Sequence, residues 1–168
     1  MKVAILCGGY GTRIRDVADD LPKPMIPIGG YPIIWHIMKY YASFGHDEFI
    51  LCLGYKSNVI KDYFLNYEAR TTDFSITLGK KDSIEILNNH TEQNWKITFA
   101  ETGLDSMTGT RIKKIQKYIN PGESFMLTYG DGLSNININK LISYHNSHGK
   151  SLTLSGVKPA GRFGEIMS

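Results

Sequence analysis

The chain has 168 residues, of which 42% are hydrophobic and 21% are charged, and its formal net charge is +3. These values are typical of a folded protein with one domain, and they exclude an intrinsically disordered chain. The basic residues form no block, so the charge pattern indicates no nucleic-acid partner, and an anionic small ligand would suffice to explain the positive excess.

The first half of the sequence predicts strands that alternate with helices. Residues 2–7 form an unbroken apolar run that a pair of glycines ends, which is typical of a strand buried on both faces of a parallel sheet. A loop with several prolines follows, and then apolar residues at helical spacing predict a helix from Pro32 to Phe44. Residues 49–53 predict the next strand, and residues 59–67 predict a second helix.

The second half begins with residues 73–101, whose short segments alternate without a helical period. We interpret the segments 74–78, 84–87 and 95–100 as strands of an inserted, partly exposed sheet. The remaining predictions are a helix at residues 112–119, a strand at 125–129, a helix from 136 that Gly149 ends, and a strand at 151–157. Together they predict one domain, residues 1–168, of the α/β class, with three α/β/α layers and a mainly parallel sheet.

Two cysteines, Cys7 and Cys52, lie inside apolar runs, which predicts buried and reduced thiols. The sequence contains no CxxC or CxxH spacing suited to zinc. The apolar run at the N-terminus is too short for a signal-peptide core or a membrane span. We therefore expect a cytoplasmic protein without a membrane partner.

Two loops that contain glycines directly follow predicted strands. They are Gly8-Gly9-Tyr10-Gly11-Thr12-Arg13 and Gly130-Asp131-Gly132. Ligands of open parallel sheets bind at the carboxyl ends of the strands. We therefore expect both loops to lie on the same edge of the sheet and to meet over one ligand.

The first loop has the composition of a phosphate-binding loop. Its three glycines allow the backbone to approach a ligand and to direct amide groups at phosphate oxygens, and Arg13 adds a bidentate phosphate donor. The loop has neither the P-loop spacing nor the GxGxxG spacing. An ordinary glycine turn between a strand and a helix is the alternative, and Thr12 and Arg13 weigh against it.

Lys23 and Asp131 are the candidate charged groups of the site. Lys23 stands between Pro22 and Pro24, which stiffen the backbone and present the cation from a rigid loop, as an anion clamp requires. Asp131 stands at the end of a strand, where its carboxylate can reach a Mg²⁺ that bridges phosphates. The alternatives are a solvated surface lysine and an Asx turn.

A loop of small residues precedes the helix at residues 112–119 and is suited to contacts with a base or a ribose. Its candidates are Ser106, Thr108, Gly109 and Arg111. A helix cap by Thr108 or Thr110 is equally compatible with the spacing. The five histidines have no spacing suited to metal ligation or to a catalytic triad, so we assign them to structural or surface positions.

Several separated motifs, taken in order, resemble the sugar nucleotidyltransferase family, and within it the glucose-1-phosphate cytidylyltransferases. They are residues 1–13, 23–25, 28–33, 35–39, 52–56, 106–111, 125–132 and 161–164. The resemblance implies a Rossmann-like nucleotide-binding sheet and a reaction in which CTP and α-D-glucose 1-phosphate give CDP-glucose and pyrophosphate, with Mg²⁺. It also implies a role in deoxysugar and polysaccharide synthesis, and it leaves a homo-oligomer open.

The resemblance further implies roles for individual residues. Arg13 would hold the triphosphate, Lys23 would neutralise charge at the α-phosphate, and Asp131 would hold the metal, so that positioning and electrostatics carry the catalysis. The nucleotide-binding set is Leu6, Cys7, Gly8, Gly9, Tyr10, Gly11, Thr12, Arg13, Lys23, Ser106, Thr108, Gly109, Arg111 and Gly130.

The sequence departs from the family at its end. Family members continue with a glutamate-lysine-proline segment, a glycine-rich sugar loop and a second metal-binding aspartate. If these 168 residues are the whole protein, we expect it to bind CTP weakly and to turn over little or nothing. The alternatives are the same chemistry with another nucleotide or acceptor, such as choline phosphate, and a non-catalytic nucleotide-binding module. A nicotinamide-binding domain is disfavoured, because Arg13 stands where helix packing requires a small residue.

Overall fold

The computed structural model describes residues 1–10, 21–80 and 83–156, and the chain divides into two compact units, Met1–Ser134 and Asn135–Ser168. The strands are β1 (Val3–Leu6), β2 (Pro27–Ile28), β3 (Tyr31–Pro32), β4 (Glu48–Leu53), β5 (Phe74–Ile76), β6 (Ile84–Ile86), β7 (Lys96–Glu101) and β8 (Met126–Tyr129). The helices are α1 (Ile33–Ala42), α2 (Ser57–Leu65), α3 (Tyr67–Thr71), α4 (Thr108–Ile115) and α5 (Ile138–His148), with 3₁₀ turns at Lys23–Met25 and Gln116–Tyr118.

Four parallel strands form the central sheet in the order β7-β4-β1-β8. Strand β1 lies inside the sheet, with Val3 opposite Phe49 of β4 on one side and opposite Met126 of β8 on the other. All four residues of β1 are buried, as the unbroken apolar run predicts. The chain therefore builds the sheet outward from β1 in one direction and then reverses to add β8, which creates a switch point between β1 and β8.

Helices pack on both faces of this sheet, because successive residues of a strand point to opposite sides. Val3 and Ile5 belong to one buried cluster, which includes residues of α1 and α2. Ala4 and Leu6 belong to a second cluster, which includes Ile115 of α4. The α/β class with three layers and a parallel central sheet is thus confirmed.

The strand predicted at residues 95–100 has a different place from the one expected. We expected it in the inserted sheet, but β7 forms the edge of the central sheet and pairs in parallel with β4. Of the three segments, the two that form β5 and β6 make a separate antiparallel sheet, and β2 pairs with β3 in another. The edge position leaves most of β7 partly or fully exposed, so its mixed apolar and polar pattern does not distinguish it from a strand of a small exposed sheet.

Two further expectations differ from the structure. The helix predicted at residues 59–67 is interrupted at Asn66, whose side-chain amide donates a hydrogen bond of 2.8 Å to the carbonyl of Asp62 and ends α2. The strand predicted at residues 151–157 is absent over residues 151–156, and Val157 lies outside the described residues. Thr153 there contacts ring nitrogens of His145 and His148 through its hydroxyl, at 2.8 Å each, and no described strand pairs with this segment.

The two cysteines are buried free thiols, as predicted. Burial raises the pKa of Cys52 to about 11, because a thiolate would lose its hydration inside the sheet. In the part of the chain that the structure describes, no helix is long and apolar enough to cross a membrane.

His46 follows α1 and has both ring nitrogens buried, with no hydrogen-bond partner among the described residues. Desolvation lowers the pKa of His46 below its ordinary value, because a protonated ring would lose hydration without gaining a partner. The unfolded chain therefore takes up this proton at a higher pH than the folded chain. Linkage requires that the stability of the fold decreases as the pH drops through the range below about 6.5.

We accordingly predict that the free energy of unfolding decreases between pH 7.5 and pH 5.5, and that the decrease is smaller in His46→Leu. The leucine fills the space of the ring and cannot bind a proton. Urea denaturation followed by circular dichroism at the two pH values measures the difference. An equal decrease in the wild type and the variant would exclude His46 as the cause.

Candidate active site

A cavity of about 260 Å³ opens at the carboxyl ends of β1 and β8, at the switch point of the sheet. Residues from both glycine loops line it, so the two loops lie on one edge as expected. The predicted residues that line this cavity are Leu6, Cys7, Gly8, Gly9, Lys23, Ser106, Thr108, Arg111, Gly130 and Asp131. Predicted residues from four separate segments of the sequence thus line one cavity.

Some candidates do not line the cavity, and some lining residues were missed. Tyr10 and Gly109 lie outside the lining, and the predicted residues Gly11, Thr12 and Arg13 lie outside the described residues. Pro24, Met107 and Tyr129 line the cavity without having been predicted. Each is adjacent in sequence to a predicted residue, and this adjacency is the signal that could have identified them.

Lys23 and Asp131 form an ion pair across the cavity. The Nζ atom of Lys23 lies 3.7 Å from Oδ2 of Asp131, and the side chains are 22% and 43% exposed. The 3₁₀ turn that begins at Lys23 positions the lysine, and the end of β8 positions the aspartate. Because the distance exceeds that of a hydrogen bond, the pair leaves the ammonium group able to turn toward an anionic ligand.

Arg111 occupies the floor of the cavity and is only 6% exposed. Its Nη1 donates to the carbonyl of Leu53 at 2.9 Å and to the hydroxyl of Thr102 at 2.7 Å. Its Nη2 donates to the carbonyls of Gly8 and Leu104 at 3.0 and 3.1 Å. The guanidinium thus joins the loops that follow β1, β4 and β7. A contact between Arg111 and a nucleotide stays a prediction.

Two glycines are required by the position of this guanidinium. A Cβ atom at Gly8 would lie 2.1 Å from Nη1 of Arg111, and a Cβ atom at Gly54 would lie 2.8 Å from the same nitrogen. Neither distance is possible without displacement of the buried side chain. The glycine of the first loop is therefore needed for close packing, in addition to any role in phosphate binding.

The loop before α4 has a geometry suited to anions. Helix α4 begins at Thr108, and its N-cap is Met107, which makes no side-chain capping bond, so the alternative of a cap by Thr108 or Thr110 is not found. The first turn of α4 contains no acidic residue. Its amide groups therefore remain available as donors, and the helix dipole favours a negative group beside them.

Ser106 of the same loop is held in place by its neighbours. Its hydroxyl donates to the carbonyl of Thr102 at 2.5 Å, and the ammonium of Lys114 donates to that carbonyl at 2.7 Å and to the Ser106 hydroxyl at 3.1 Å. The loop is therefore fixed from the side of α4. The hydroxyl keeps acceptor capacity for a ligand.

Cys7 also lines the cavity, and it is uncharged there. Burial is the main cause that raises the pKa of its thiol well above the ordinary value, and the nearby Cys52 and Asp131 act in the same direction. A neutral thiol is a poor nucleophile. The arrangement therefore does not support covalent catalysis by Cys7.

Among the described residues that line this cavity, Asp131 is the carboxylate that fits a divalent cation. Among the described residues, no group of three or more histidine, cysteine, aspartate or glutamate side chains could hold a metal ion. Mg²⁺ commonly keeps several waters and binds one or two carboxylates together with substrate phosphates. A single partly exposed carboxylate beside a phosphate-sized cavity fits that mode and does not fit a metal site made by protein ligands alone.

Comparison with known proteins gives the family. A family model described as "Nucleotidyl transferase" matches residues 2–168. Over 99% of its length, the chain is 49% identical to a probable glucose-1-phosphate cytidylyltransferase of Bacillus subtilis and 43% identical to the glucose-1-phosphate cytidylyltransferase of Salmonella typhimurium. The chain spans 64% of the length of each of these relatives.

A solved structure supports the same assignment. The structure of HddC from Yersinia pseudotuberculosis, complexed with GMP-PN, is 30% identical to this chain and superposes with a TM-score of 0.61. The match covers 85% of this chain and 53% of HddC. The similarity in sequence and fold extends over most of the described residues.

We predict that Gly8→Ala destabilises the protein by about 1–3 kcal/mol, because the new methyl group overlaps a buried guanidinium that four hydrogen bonds hold in place. Gly9→Ala is the matched control, since no atom of the described residues lies within 4 Å of a Cβ atom at Gly9. Chemical denaturation of both variants measures the effect. Equal stability of the two variants would contradict the packing of Arg111 against Gly8.

Proposed function

The chain belongs to the nucleotidyl transferase family, and from this premise we propose that it acts as a glucose-1-phosphate cytidylyltransferase. The proposed reaction converts CTP and α-D-glucose 1-phosphate into CDP-glucose and pyrophosphate. The observation that carries the proposal is the pair of Lys23 and Asp131 across a cavity between two glycine-containing strand ends. The names of the relatives from Bacillus subtilis and Salmonella typhimurium support this choice of nucleotide and sugar.

The nucleotide would bind along the edge of the sheet. Gly8 and Gly9 line the cavity and carry no side chains of their own, so phosphate oxygens can approach their backbone. The open first turn of α4 and the hydroxyl of Ser106 supply further donors and acceptors on the opposite side. We assign the phosphates to the glycine loop and the nucleoside to the loop at Ser106 and Thr108. Arg13 remains a proposed ligand of the triphosphate.

The chemistry requires positioning and neutralisation of charge. An oxygen of the sugar phosphate attacks the α-phosphorus of CTP, a new P–O bond forms, and the bond to the β-phosphate oxygen breaks and releases pyrophosphate. The attacking oxygen is already an anion, so no general base is required. Lys23 can turn from Asp131 to the α-phosphate and neutralise the charge that develops there.

We also propose that Asp131 holds Mg²⁺, which would supply neutralisation of the charge on the departing pyrophosphate. The carboxylate lies at the carboxyl end of β8, on the side of the cavity that Lys23 also faces. A cytoplasmic location and a role in polysaccharide synthesis accord with these substrates. A homo-oligomeric state belongs to the same proposal. The contacts described above lie within one chain and do not bear on it.

We predict that the protein binds CTP in the presence of Mg²⁺ and that it binds UTP, dTTP, GTP and ATP at least about tenfold more weakly. Isothermal titration calorimetry with each nucleotide measures the dissociation constants. A pyrophosphate-release assay with glucose 1-phosphate tests the reaction and should give a signal with CTP above the other nucleotides. Tighter binding of another nucleotide would contradict the proposed substrate, whereas binding of CTP without pyrophosphate release would favour a non-catalytic module.

We predict that Lys23→Ala lowers the rate of pyrophosphate release by about 100-fold, because it removes a cation that acts on charge developing in the transition state. The dissociation constant for CTP should increase by less than about tenfold, since other groups bind the ground-state triphosphate. Lys140→Ala, in the other compact unit, is the control and should retain the wild-type rate. An unchanged rate in Lys23→Ala would remove Lys23 from the catalytic groups.

A further inference from the structure

Tyr10 directly follows the glycine pair, yet its side chain is directed away from the cavity lining and toward two other loops. Its hydroxyl donates a hydrogen bond of 2.7 Å to Oδ1 of Asp105. Its ring lies 5.4 Å from the ring of Tyr55, measured between centroids, at an angle of 40°. The side chain is 49% exposed, so these contacts stand at the surface of the protein.

These three residues belong to three different loops on the same edge of the sheet. Tyr10 follows β1, Tyr55 follows β4 and Asp105 follows β7. Arg111 joins the same three regions through the carbonyls of Gly8, Leu53 and Leu104, as described above. Two groups thus connect these loops, namely the buried guanidinium of Arg111 and the exposed phenol of Tyr10.

The two connections hold the residues on either side of Gly9 in the chain, Gly8 and Tyr10. The carbonyl of Gly8 is bound by Arg111 at 3.0 Å, and the amide of Tyr55 also approaches this carbonyl at 3.4 Å. On the other side of Gly9, the side chain of Tyr10 is bound to Asp105. Gly9 has no side chain of its own to hold its backbone, so its orientation depends on the contacts of its two neighbours.

We propose that Tyr10 is a positioning residue, whose hydrogen bond to Asp105 holds the backbone amides of Gly9 and Tyr10 in the direction in which they bind the nucleotide phosphates. This inference rests on the proposed function, because it concerns the same site. The phenol itself does not contact the ligand. Its effect is to reduce the conformational freedom that the loop would otherwise lose when the nucleotide binds.

The chemistry of the pair suits this role. The hydrogen bond to Asp105 raises the pKa of Tyr10, because the bond and the negative charge of the carboxylate both favour the protonated phenol. The hydroxyl therefore remains a donor throughout the neutral range. A hydrogen bond from a hydroxyl to an ionised carboxylate is stronger than one between neutral groups, so it can hold an exposed loop.

The test compares Tyr10→Phe, which removes only the hydroxyl and keeps the ring against Tyr55, with four other variants. We expect Tyr10→Phe to raise the dissociation constant for CTP with Mg²⁺ by about three- to tenfold in calorimetry. Asp105→Ala should have a similar effect, and the double variant should be no weaker than either single variant, because both substitutions remove the same bond. Asp105→Asn keeps an acceptor oxygen and should restore part of the affinity. Tyr144→Phe, an exposed tyrosine on α5, is the control.

A second measurement makes the outcome independent of the nucleotide. In the free protein, the NMR order parameters of the backbone amides of Gly9 and Tyr10 should be lower by at least about 0.1 in Tyr10→Phe than in the wild type, with no change in Tyr144→Phe. If the wild type binds CTP and Tyr10→Phe shows unchanged affinity and unchanged order parameters, the positioning role is wrong and the proposed function stands. If the wild type binds no nucleotide, the proposed function is wrong, and the order parameters alone still decide whether Tyr10 orders the loop. An additive loss of affinity in the double variant would also overturn the role.

Discussion

The guanidinium of Arg111 is the interaction on which the geometry of the site depends. It lies among the carboxyl ends of three parallel strands and donates to the carbonyls of Gly8, Leu53 and Leu104. The carbonyls of Gly8 and Leu104 lie beyond the ends of β1 and β7, and a buried carbonyl without a donor costs free energy, whereas the carbonyl of Leu53 also accepts from the amide of Thr102 at 3.1 Å. One planar group with five N–H donors can satisfy several of them together, which an ammonium group could not do with the same geometry.

This arrangement explains why the site needs glycine in positions that have no ligand contact. Gly54 lies outside the cavity lining, yet a Cβ atom there would lie 2.8 Å from the carbonyl of Gly8 as well as from Arg111. The guanidinium can reach the ends of β1 and β4 only because the residues that follow there, Gly8 and Gly54, carry no side chains. The glycine motif of β1 therefore reflects the packing of an arginine about a hundred residues later in the chain, and the proposed binding of phosphate would be an additional role of the same glycines.

The sequence predicts the parts of this structure that depend on local patterns. The apolar run of β1 and the glycines at both strand ends placed Lys23 and Asp131 at one edge of the sheet, because parallel topology brings the carboxyl ends of strands together. The role of Arg111 in joining the loops could not be predicted in this way. Its partners are distant in the sequence, and an arginine before a helix has the same local pattern whether it faces a ligand or the backbone. The place of β7 was missed for a related reason, since edge strands of any sheet share one pattern of exposure.

The charges of the site divide into a fixed part and an adjustable part. Arg111 is buried, its four hydrogen bonds go to uncharged oxygens, and none of the described carboxylates pairs with it, so its positive charge acts on whatever enters the cavity. Lys23 and Asp131 are partly exposed and separated by 3.7 Å, so solvent and ligand can both compete for them. An anionic ligand is therefore attracted by a charge that cannot move, and it meets a lysine that can leave its partner. A cation that binds Asp131 would release that lysine, which couples occupation of the carboxylate to the charge available for the ligand.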